Sequence, residues 1–268
     1  MLDAQSLLAT HDLLLVTLDT LRWDVAEEAW RRGETPVLAQ YLPQGWERRH
    51  SPGSFTYAAH HAIFAGFLPT PASPGKHPRL FACRFPGSET STAQTCVFEA
   101  PDLPSGLRER GFHTICIGGV GFFNKLGPLG SVLPGLFEES HWSPALGVTD
   151  PESTRYQVDL AIERIEACEP GRRLFLFLNV SALHQPNCHY LPGATVDTRD
   201  SQRAALAYVD QHLPRLIEAM RRRAPLLGLL MSDHGVAYGE DGYHGHRLAH
   251  QVVWDVPYGE FVLPAASC

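Results

Sequence analysis

The sequence has no C-x-x-C pair and no surplus of positive charge. Its six cysteines are scattered along the chain, which excludes the paired spacing of a zinc knuckle. The formal net charge is −7 at pH 7, so the chain lacks the overall basic surface with which proteins hold nucleic acid or an anionic membrane. We therefore expect no nucleic-acid partner and no membrane partner.

Long apolar runs and targeting signals are also missing. No apolar run is long enough to span a bilayer. Residues 1–10 lack the basic segment of a secretory signal and contain Asp3. These absences predict a cytoplasmic protein whose cysteines are free thiols.

The chain does have enough apolar sequence for a full core. It is 268 residues long and 44% hydrophobic, and it shows no repeat or long linker, so we expect a single domain over residues 1–268. The hydrophobic pattern predicts helices over 35–42, 56–66, 103–110, 153–169 and 201–223, and strands over 11–18, 46–50, 112–117, 174–179, 225–231 and 255–262. The last of these is predicted to lie at a sheet edge, where Pro257 is tolerated. Residues 71–102 are predicted to form a loop near the site entrance.

One predicted strand leads into an adjacent carboxylate and imidazole. The apolar run 225–231 is typical of a central strand in a parallel sheet, and Asp233, His234 and Gly235 follow it. Ligands of such sheets gather at the carboxyl ends of the strands. Carboxylate oxygen beside imidazole nitrogen suits zinc or manganese better than calcium. An aspartate that caps a helix beside an incidental histidine is the alternative.

The first predicted strand ends in a second carboxylate, Asp19. If this strand lies beside the one that leads to Asp233, two acids converge, and buried acids repel unless a cation separates them. A helix N-cap is the alternative role for Asp19. Arg22 and Asp24 are predicted to form an ion pair that fixes the loop after this strand.

Thr56 lies at or near the start of a predicted helix, where free N–H groups and the helix dipole favour an anion. Its hydroxyl can cap the helix, or it can act as a nucleophile toward phosphorus or sulfur with the help of a metal. His60 follows one turn later and is expected to face the same anion.

These segments together resemble the alkaline phosphatase and sulfatase superfamily of metal-dependent hydrolases. Residues 15–24 (L-V-T-L-D-T-L-R-W-D) look like the family's first metal-binding strand. Residues 56–66 have the spacing of its nucleophile helix, commonly Thr/Ser/Cys-x-Pro-Ser-Arg/His closed by glycine. Residues 232–235, followed by Val256 and Pro257, are similar to its second metal-binding segment. The three blocks occur in the family's order and span most of the chain.

Two departures from the family pattern indicate which branch is closest. Sulfatases carry Cys or Ser, converted to formylglycine, where this chain has Thr56, and Ala58 and Ala59 replace the Pro-Ser pair. Threonine at this position resembles the phosphodiesterase, phosphonate-hydrolase and phosphoglycerol-transferase branches. The resemblance therefore implies a phosphoryl rather than a sulfuryl substrate.

The resemblance also assigns the other candidate residues. Two-metal relatives have an Asp four residues before a His, and this pair holds their second ion. Here Val180 is four residues before His184 and cannot bind a metal, so one ion is expected. His184 is similar to the substrate-binding histidine of one-metal branches, with a structural loop histidine as the alternative. His246 is near the position of a Lys or His that stabilises charge on the transferred group. Asn179, which ends a predicted strand, and His244, in a glycine-rich loop, complete the candidate substrate-binding residues. The alternative for His244 is a loop residue with no role in the site.

The implied fold is an α/β three-layer sandwich with a mainly parallel central sheet, an alkaline-phosphatase-like core and a reduced C-terminal part. One zinc or manganese ion per chain is expected to bind Asp19, Thr56, Asp233 and His234. Thr56 would then attack a phosphoester (mono- or diester) or phosphonate of a small-molecule substrate, with His184 and His246 as the other catalytic residues. A sulfatase-like hydrolase or a phosphotransferase using the same site, and a non-catalytic metal-binding relative, are the alternatives.

Overall fold

The computed structural model describes residues 2–66, 79–81, 95–97 and 102–266. The α-helices in these ranges are α1 (Ala4–Leu7), α2 (Trp23–Arg31), α3 (Pro36–Tyr41), α4 (Thr56–Ala65), α5 (Leu103–Glu109), α6 (Pro128–Val132), α7 (Ser153–Ala167), α8 (Arg199–Arg223) and α9 (Gln251–Trp254). The strands are β1 (Asp12–Leu18), β2 (Glu47–His50), β3 (Arg79–Phe81), β4 (Thr95–Val97), β5 (His113–Ile117), β6 (Glu139–His141), β7 (Leu174–Val180), β8 (Leu226–Met231), β9 (Ala237–Tyr238), β10 (His244–Gly245) and β11 (Asp255–Leu263). None of these helices combines the length and the apolar character needed to cross a bilayer.

Seven strands form one mixed sheet in the order β2-β11-β8-β1-β7-β5-β6. The pairs β8·β1, β1·β7, β7·β5 and β5·β6 are parallel, whereas β11 runs antiparallel to both β8 and β2. β1 is therefore central, with parallel partners on both sides. The predicted α/β class with a mainly parallel sheet is confirmed.

Helices cover both faces of this sheet. Successive residues of a strand point to opposite faces, so β1 contributes side chains to a core on each side. Every residue of β1 is buried. Leu14, Val16 and Leu18 pack in one core with residues of α2, α7 and α8. Leu13 and Leu15 pack in a second core with residues of α4 and α5. This arrangement is the predicted three-layer sandwich.

The parallel register brings three strand ends together. Thr17 of β1 pairs with Asn179 of β7 on one side and with Met231 of β8 on the other. Asp19 and Asp233 each lie two residues beyond these paired positions, at the carboxyl edge of the sheet. The fold thus gathers the polar residues that end three neighbouring strands.

The predicted edge position of the last strand is wrong. β11 lies between β8 and β2, with Pro257 opposite Arg48 of β2. β2 forms the edge instead, and its four residues are all exposed. A short, charged, exposed strand of this kind discourages further pairing at a sheet edge. The hydrophobic pattern of β11 alone could not show that a polar strand would cover it.

A predicted loop and the start of α3 complete the description of the fold. The loop predicted over 71–102 falls almost entirely outside the described residues, which here include only β3, β4 and residue 102. Helix α3 forms as predicted, but the Thr35 side chain makes no capping bond. The carboxylate of Asp210, from α8, accepts hydrogen bonds from the N–H groups of Val37 (3.1 Å) and Leu38 (2.7 Å) instead. The start of α3 is therefore capped by a residue of α8, far along the chain.

Gly119 is predicted to be essential for packing the segment after β5 against β7. A Cβ at this position would lie 2.3 Å from the Asn179 carbonyl oxygen, whereas one at Gly127 would meet no atom within 4 Å. We expect Gly119→Ala to lower the free energy of unfolding by about 1–3 kcal/mol, because backbone must move to admit the methyl group. Gly127→Ala should change it by less than about 1 kcal/mol. Urea denaturation of both variants measures this, and equal stabilities would contradict the packing argument.

Candidate metal centre

Asp19, Asp233 and His234 converge at the carboxyl edge of the sheet. One potential ligand atom from each lies within 4.8 Å of the others, and all three residues are buried. Their positions follow from topology, since β1 and β8 are adjacent and parallel. Among the described residues this is the only such group of His, Cys, Asp and Glu side chains.

The chemistry of these donors fits a cation. Asp19 Oδ1 and Asp233 Oδ2 are buried and have no hydrogen-bond partner, although buried polar atoms are normally paired. Burial raises the pKa of Asp233 to about 7, and burial together with the charge of Asp233 raises the pKa of Asp19 to about 6. Two buried acids with unpaired oxygens are an unfavourable arrangement that a divalent ion between them would relieve.

His234 presents one nitrogen to the same point. Its Nδ1 lies 2.9 Å from the Gly235 carbonyl oxygen, so Nδ1 carries the proton and donates it there. That tautomer leaves Nε2 with a free lone pair, as metal-binding histidines require. Gly235 is needed for this turn, because a Cβ there would lie 2.0 Å from the Val252 carbonyl oxygen.

Thr56 brings a hydroxyl to these ligands from the first residue of α4. Its Oγ1 lies 3.3 Å from His234 Nε2 and 3.5 Å from Asp19 Oδ2. The helix starts and ends where it was predicted to, with Gly66 in the left-handed conformation (φ 72°) after its last residue. Phe55 occupies the cap position of this helix and Thr56 is its first residue, and the Thr56 hydroxyl contacts His234 and Asp19.

Two histidines stand beside this centre. The ring of His246 lies 4.7 Å from that of His234 and 5.8 Å from that of His184, measured between centroids. Thr56, His184 and His246 line one cavity of about 550 Å³. Burial, with the nearby His234 and His184, lowers the pKa of His246 to about 3. His246 is therefore neutral at physiological pH and can donate or accept one hydrogen bond.

His60 does not face the anion site as expected. Its ring is fully buried, with Nδ1 2.8 Å from the Thr56 carbonyl oxygen and Nε2 3.0 Å from Thr17 Oγ1. Both nitrogens are thus engaged inside the protein, because the side chain at this helix position points down onto the sheet. Burial lowers its pKa to about 3.

Asn179 is buried against the candidate ligand Asp19 and does not line the cavity. Its Nδ2 donates to Asp19 Oδ2 (3.0 Å) and to Thr17 Oγ1 (3.2 Å), and its Oδ1 accepts from the Val120 N–H (3.0 Å). The side chain is fully buried, so all its polar atoms are used inside. Sequence reasoning missed Thr17; a hydroxyl within an otherwise apolar strand was the signal available.

His244 is not brought to the centre. It pairs with Tyr238 in the two-stranded β9·β10 ribbon and is exposed. The chain turns between His244 and His246, through Gly245 with φ 83°, so only the second histidine faces the cavity.

The predicted Arg22–Asp24 ion pair is confirmed. The guanidinium donates to both carboxylate oxygens of Asp24, at 2.8 and 2.7 Å. It also donates to the Val236 carbonyl oxygen (3.3 Å) and to Glu240. Arg22 therefore ties the loop after β1 to the segment that follows His234.

The chain matches no protein-family model, and no curated protein sequence is significantly similar to it. Solved structures share its fold. The C-terminal periplasmic domain of EcEptC from Escherichia coli, in complex with zinc, has a TM-score of 0.64 at 11% identity, covering 95% of this chain and 73% of that one. The soluble domain of lipooligosaccharide phosphoethanolamine transferase A from Neisseria meningitidis gives 0.63 at 16% identity, covering 94% and 76%. The lipoteichoic acid synthase LtaP from Listeria monocytogenes gives 0.59 at 11% identity, covering 94% and 65%.

These comparisons confirm the resemblance at the level of the fold: the core is the one predicted from the three sequence blocks. They also overturn the expected cytoplasmic location, because the similar domains of EcEptC and of EptC from Campylobacter jejuni are periplasmic. The expectation was wrong because it relied on the lack of a secretory-signal pattern in residues 1–10. The lack of that pattern does not establish the cellular compartment of a domain.

The raised pKa values of the two carboxyls predict a pH dependence in the metal-free protein. Between about pH 4, the ordinary value, and pH 7, the folded state holds protons that the unfolded state has lost. Stability from these groups therefore falls as the pH rises through this window. We expect EDTA-treated protein to lose more stability between pH 5 and pH 8 than its Asp233→Asn variant, in thermal unfolding at each pH. Equal pH dependence in the two proteins would contradict the buried acid pair.

Proposed function

We propose that this chain is a metal-dependent hydrolase that cleaves phosphoesters through Thr56. The observation that carries the proposal is the position of the Thr56 hydroxyl, 3.3 Å from His234 Nε2 and 3.5 Å from Asp19 Oδ2, beside carboxylate oxygens that lack partners. A hydroxyl aimed at a cation site and set at a helix start is suited to attack an anionic ester.

Asp19, Asp233, His234 and Thr56 are the residues that would hold the ion. Oxygen ligands with a single imidazole suit zinc or manganese. When bound, a divalent ion supplies positive charge that favours ionisation of a neighbouring hydroxyl and offsets negative charge on phosphoryl oxygens. The zinc complex of the similar EcEptC domain supports zinc as the first metal to test.

Thr56 makes and later breaks the covalent bond to phosphorus. Its Oγ attacks the phosphorus atom, and the bond from phosphorus to the ester oxygen breaks, with the electron pair leaving on that oxygen. Thr56 gives up its hydroxyl proton to Asp19 Oδ2, 3.5 Å away, because His234 Nε2 and Asp19 Oδ1 are the atoms left for the ion. The start of α4 favours the negative charge on the transferred group.

His184 and His246 act on the other side of the transferred group. His184 Nδ1 lies 2.6 Å from the Gln185 carbonyl oxygen, so Nδ1 donates there and Nε2 remains for substrate. His246 Nδ1 is buried without a partner, so a neutral ring can place an N–H toward a phosphoryl oxygen. His184 protonates the leaving oxygen. Water then attacks phosphorus, gives a proton to the His184 imidazole and displaces the Thr56 oxygen, which takes back the proton held by Asp19.

Transfer to an acceptor other than water is the second candidate. The similar structures include phosphoethanolamine transferase A and a lipoteichoic acid synthase, and the same threonine chemistry serves both outcomes. The periplasmic domains of EcEptC and of EptC from Campylobacter jejuni also support an extracytoplasmic setting for this chain. A sulfuryl substrate is less well supported, because the nucleophile is threonine.

We expect the purified protein to carry about one zinc or manganese ion per chain, the occupancy of a single catalytic site that keeps one position open for substrate. Asp233→Asn should lose the ion, because it removes one of the two anionic ligands. Asp159→Asn is the matched control: this aspartate is partly exposed and paired with Arg155 and Arg215, outside the centre. Elemental analysis of the three proteins measures the difference. Full metal content in Asp233→Asn would contradict the site.

Thr56→Ala is expected to lower kcat for bis-p-nitrophenyl phosphate by on the order of a thousandfold or more, since no nucleophile remains. Thr56→Ser keeps a hydroxyl on the same helix and should stay within roughly tenfold of the parent.

Metal content is measured on the same samples, so that loss of the ion is told apart from loss of the nucleophile. Metal-dependent turnover that survives in Thr56→Ala at the parent rate would rule out this mechanism. A metal-loaded parent that hydrolyses no activated ester would point to the non-catalytic alternative.

A further inference from the structure

The cavity beside Thr56 extends well beyond the reacting groups. Its volume is about 550 Å³, within the range of small-ligand pockets. Thr56, His184 and His246 form one end. The remaining walls come from Val148 and from the segment between residues 120 and 130. None of the roles proposed above uses these walls.

The walls are apolar and partly open to solvent. They include Val120, Phe122, Leu126, Leu129 and Val148. Leu126 is 76% exposed and Leu129 53% exposed, two of the most exposed large apolar residues in the described part of the chain. Clustered exposed apolar side chains next to a reactive group are typical of a binding surface, whereas single ones are not informative.

This wall is held in place by specific contacts. The Val120 N–H donates to Asn179 Oδ1 (3.0 Å), so the wall is attached to the side chain that orients Asp19. Trp142 Nε1 donates to the Gly119 carbonyl oxygen at 2.9 Å. At the far end, the Lys125 N–H donates to the Gly130 carbonyl oxygen at 3.1 Å. A cavity with anchored walls can select among substrates without first rearranging.

The described lining residues contain no carboxylate, ammonium or guanidinium group. Apart from the three reactive residues, their only polar side chain is that of Asn124, and its Oδ1 already accepts from the Leu126 N–H at 2.9 Å. A charged substrate group placed here would lose its hydration without gaining a partner, which is costly. An apolar group would instead be removed from water.

We propose that this cavity binds an uncharged alkyl or aryl ester group of the substrate, making the preferred substrate an anionic phosphodiester with one small apolar ester group. The inference rests on the proposed function, since it places that group next to the phosphorus atom that Thr56 attacks. Ester groups with a free cation, such as 2-aminoethyl, are poor occupants of this cavity.

A series of 4-nitrophenyl alkyl phosphates tests this with a constant leaving group. On the zinc-loaded protein, kcat/KM should rise from methyl to propyl to hexyl by about two- to fourfold for each added methylene group, as expected for burial of apolar surface. The propyl ester should exceed the 2-aminoethyl ester, which has the same number of heavy atoms, by at least about tenfold.

Variants of the wall assign the preference to this cavity. Leu129→Ser should lower the hexyl-to-methyl ratio by roughly three- to tenfold, and Leu129→Glu should raise the relative rate of the 2-aminoethyl ester. Val196→Ser is the matched control, because Val196 is also an exposed apolar residue (65%) but does not line the cavity. It should leave both ratios unchanged. Since Leu129 is more than half exposed, these variants are expected to fold.

A flat dependence of kcat/KM on alkyl length would overturn the inference while leaving the proposed function in place. A parent protein that turns over no ester would overturn the function instead. In that case isothermal titration calorimetry with propyl phosphate and 2-aminoethyl phosphate still tests the cavity. Tighter binding of propyl phosphate, weakened in Leu129→Glu, supports it, and equal affinities of the parent for both would contradict it.

Discussion

The repulsion between two buried carboxylates is the constraint on which the rest of this site depends. Asp19 and Asp233 are both fully buried, because β1 and β8 are neighbouring parallel strands in the middle of the sheet. Without a cation, the pKa values of the two carboxyls rise above the ordinary value, to about 6 for Asp19 and about 7 for Asp233, so both groups keep their protons to a higher pH. With a divalent cation both can ionise. The strand order therefore creates a need for positive charge at one defined point.

The surroundings of the pair keep it in this unfavourable position. The Thr20 N–H donates to Asp233 Oδ1 at 3.2 Å, which joins the end of β1 to the segment after β8. Asn179 donates directly to Asp19 from the other side, and it also donates to Thr17. His60 then links Thr17 to the backbone of Thr56. The proposed nucleophile and the candidate ligands thus share one buried, hydrogen-bonded frame, as a precise site requires.

Local patterns in the sequence were sufficient for most of the fold. Uninterrupted apolar runs marked β1, β7 and β8, since both faces of these strands are covered. The residues that follow β1 and β8, together with Thr56, were enough to predict the centre. Long-range relations were beyond such patterns. Nothing local shows that His60 turns inward to Thr17, or that Asp210 caps α3 from a helix far along the chain. The cavity wall between residues 120 and 130 was not predicted. Its glycine-rich sequence predicts a loop, but it does not show which cavity the loop lines.

The inward position of His60 also affects which phosphoesters the proposed site would accept. A positive side chain four residues after the nucleophile would offset the charge of a bound anion. His60 is neutral, because burial lowers its pKa to about 3, and His246 is neutral for the same main reason. A divalent ion bound between the two carboxylates would be neutralised by them. The dipole of α4 and the Arg247 guanidinium, which is close enough to His246 to lower its pKa, are then left to offset charge on a substrate. A phosphodiester carries one negative charge and a monoester carries close to two near neutral pH, so on the proposed function a diester needs less of this positive charge than a monoester does.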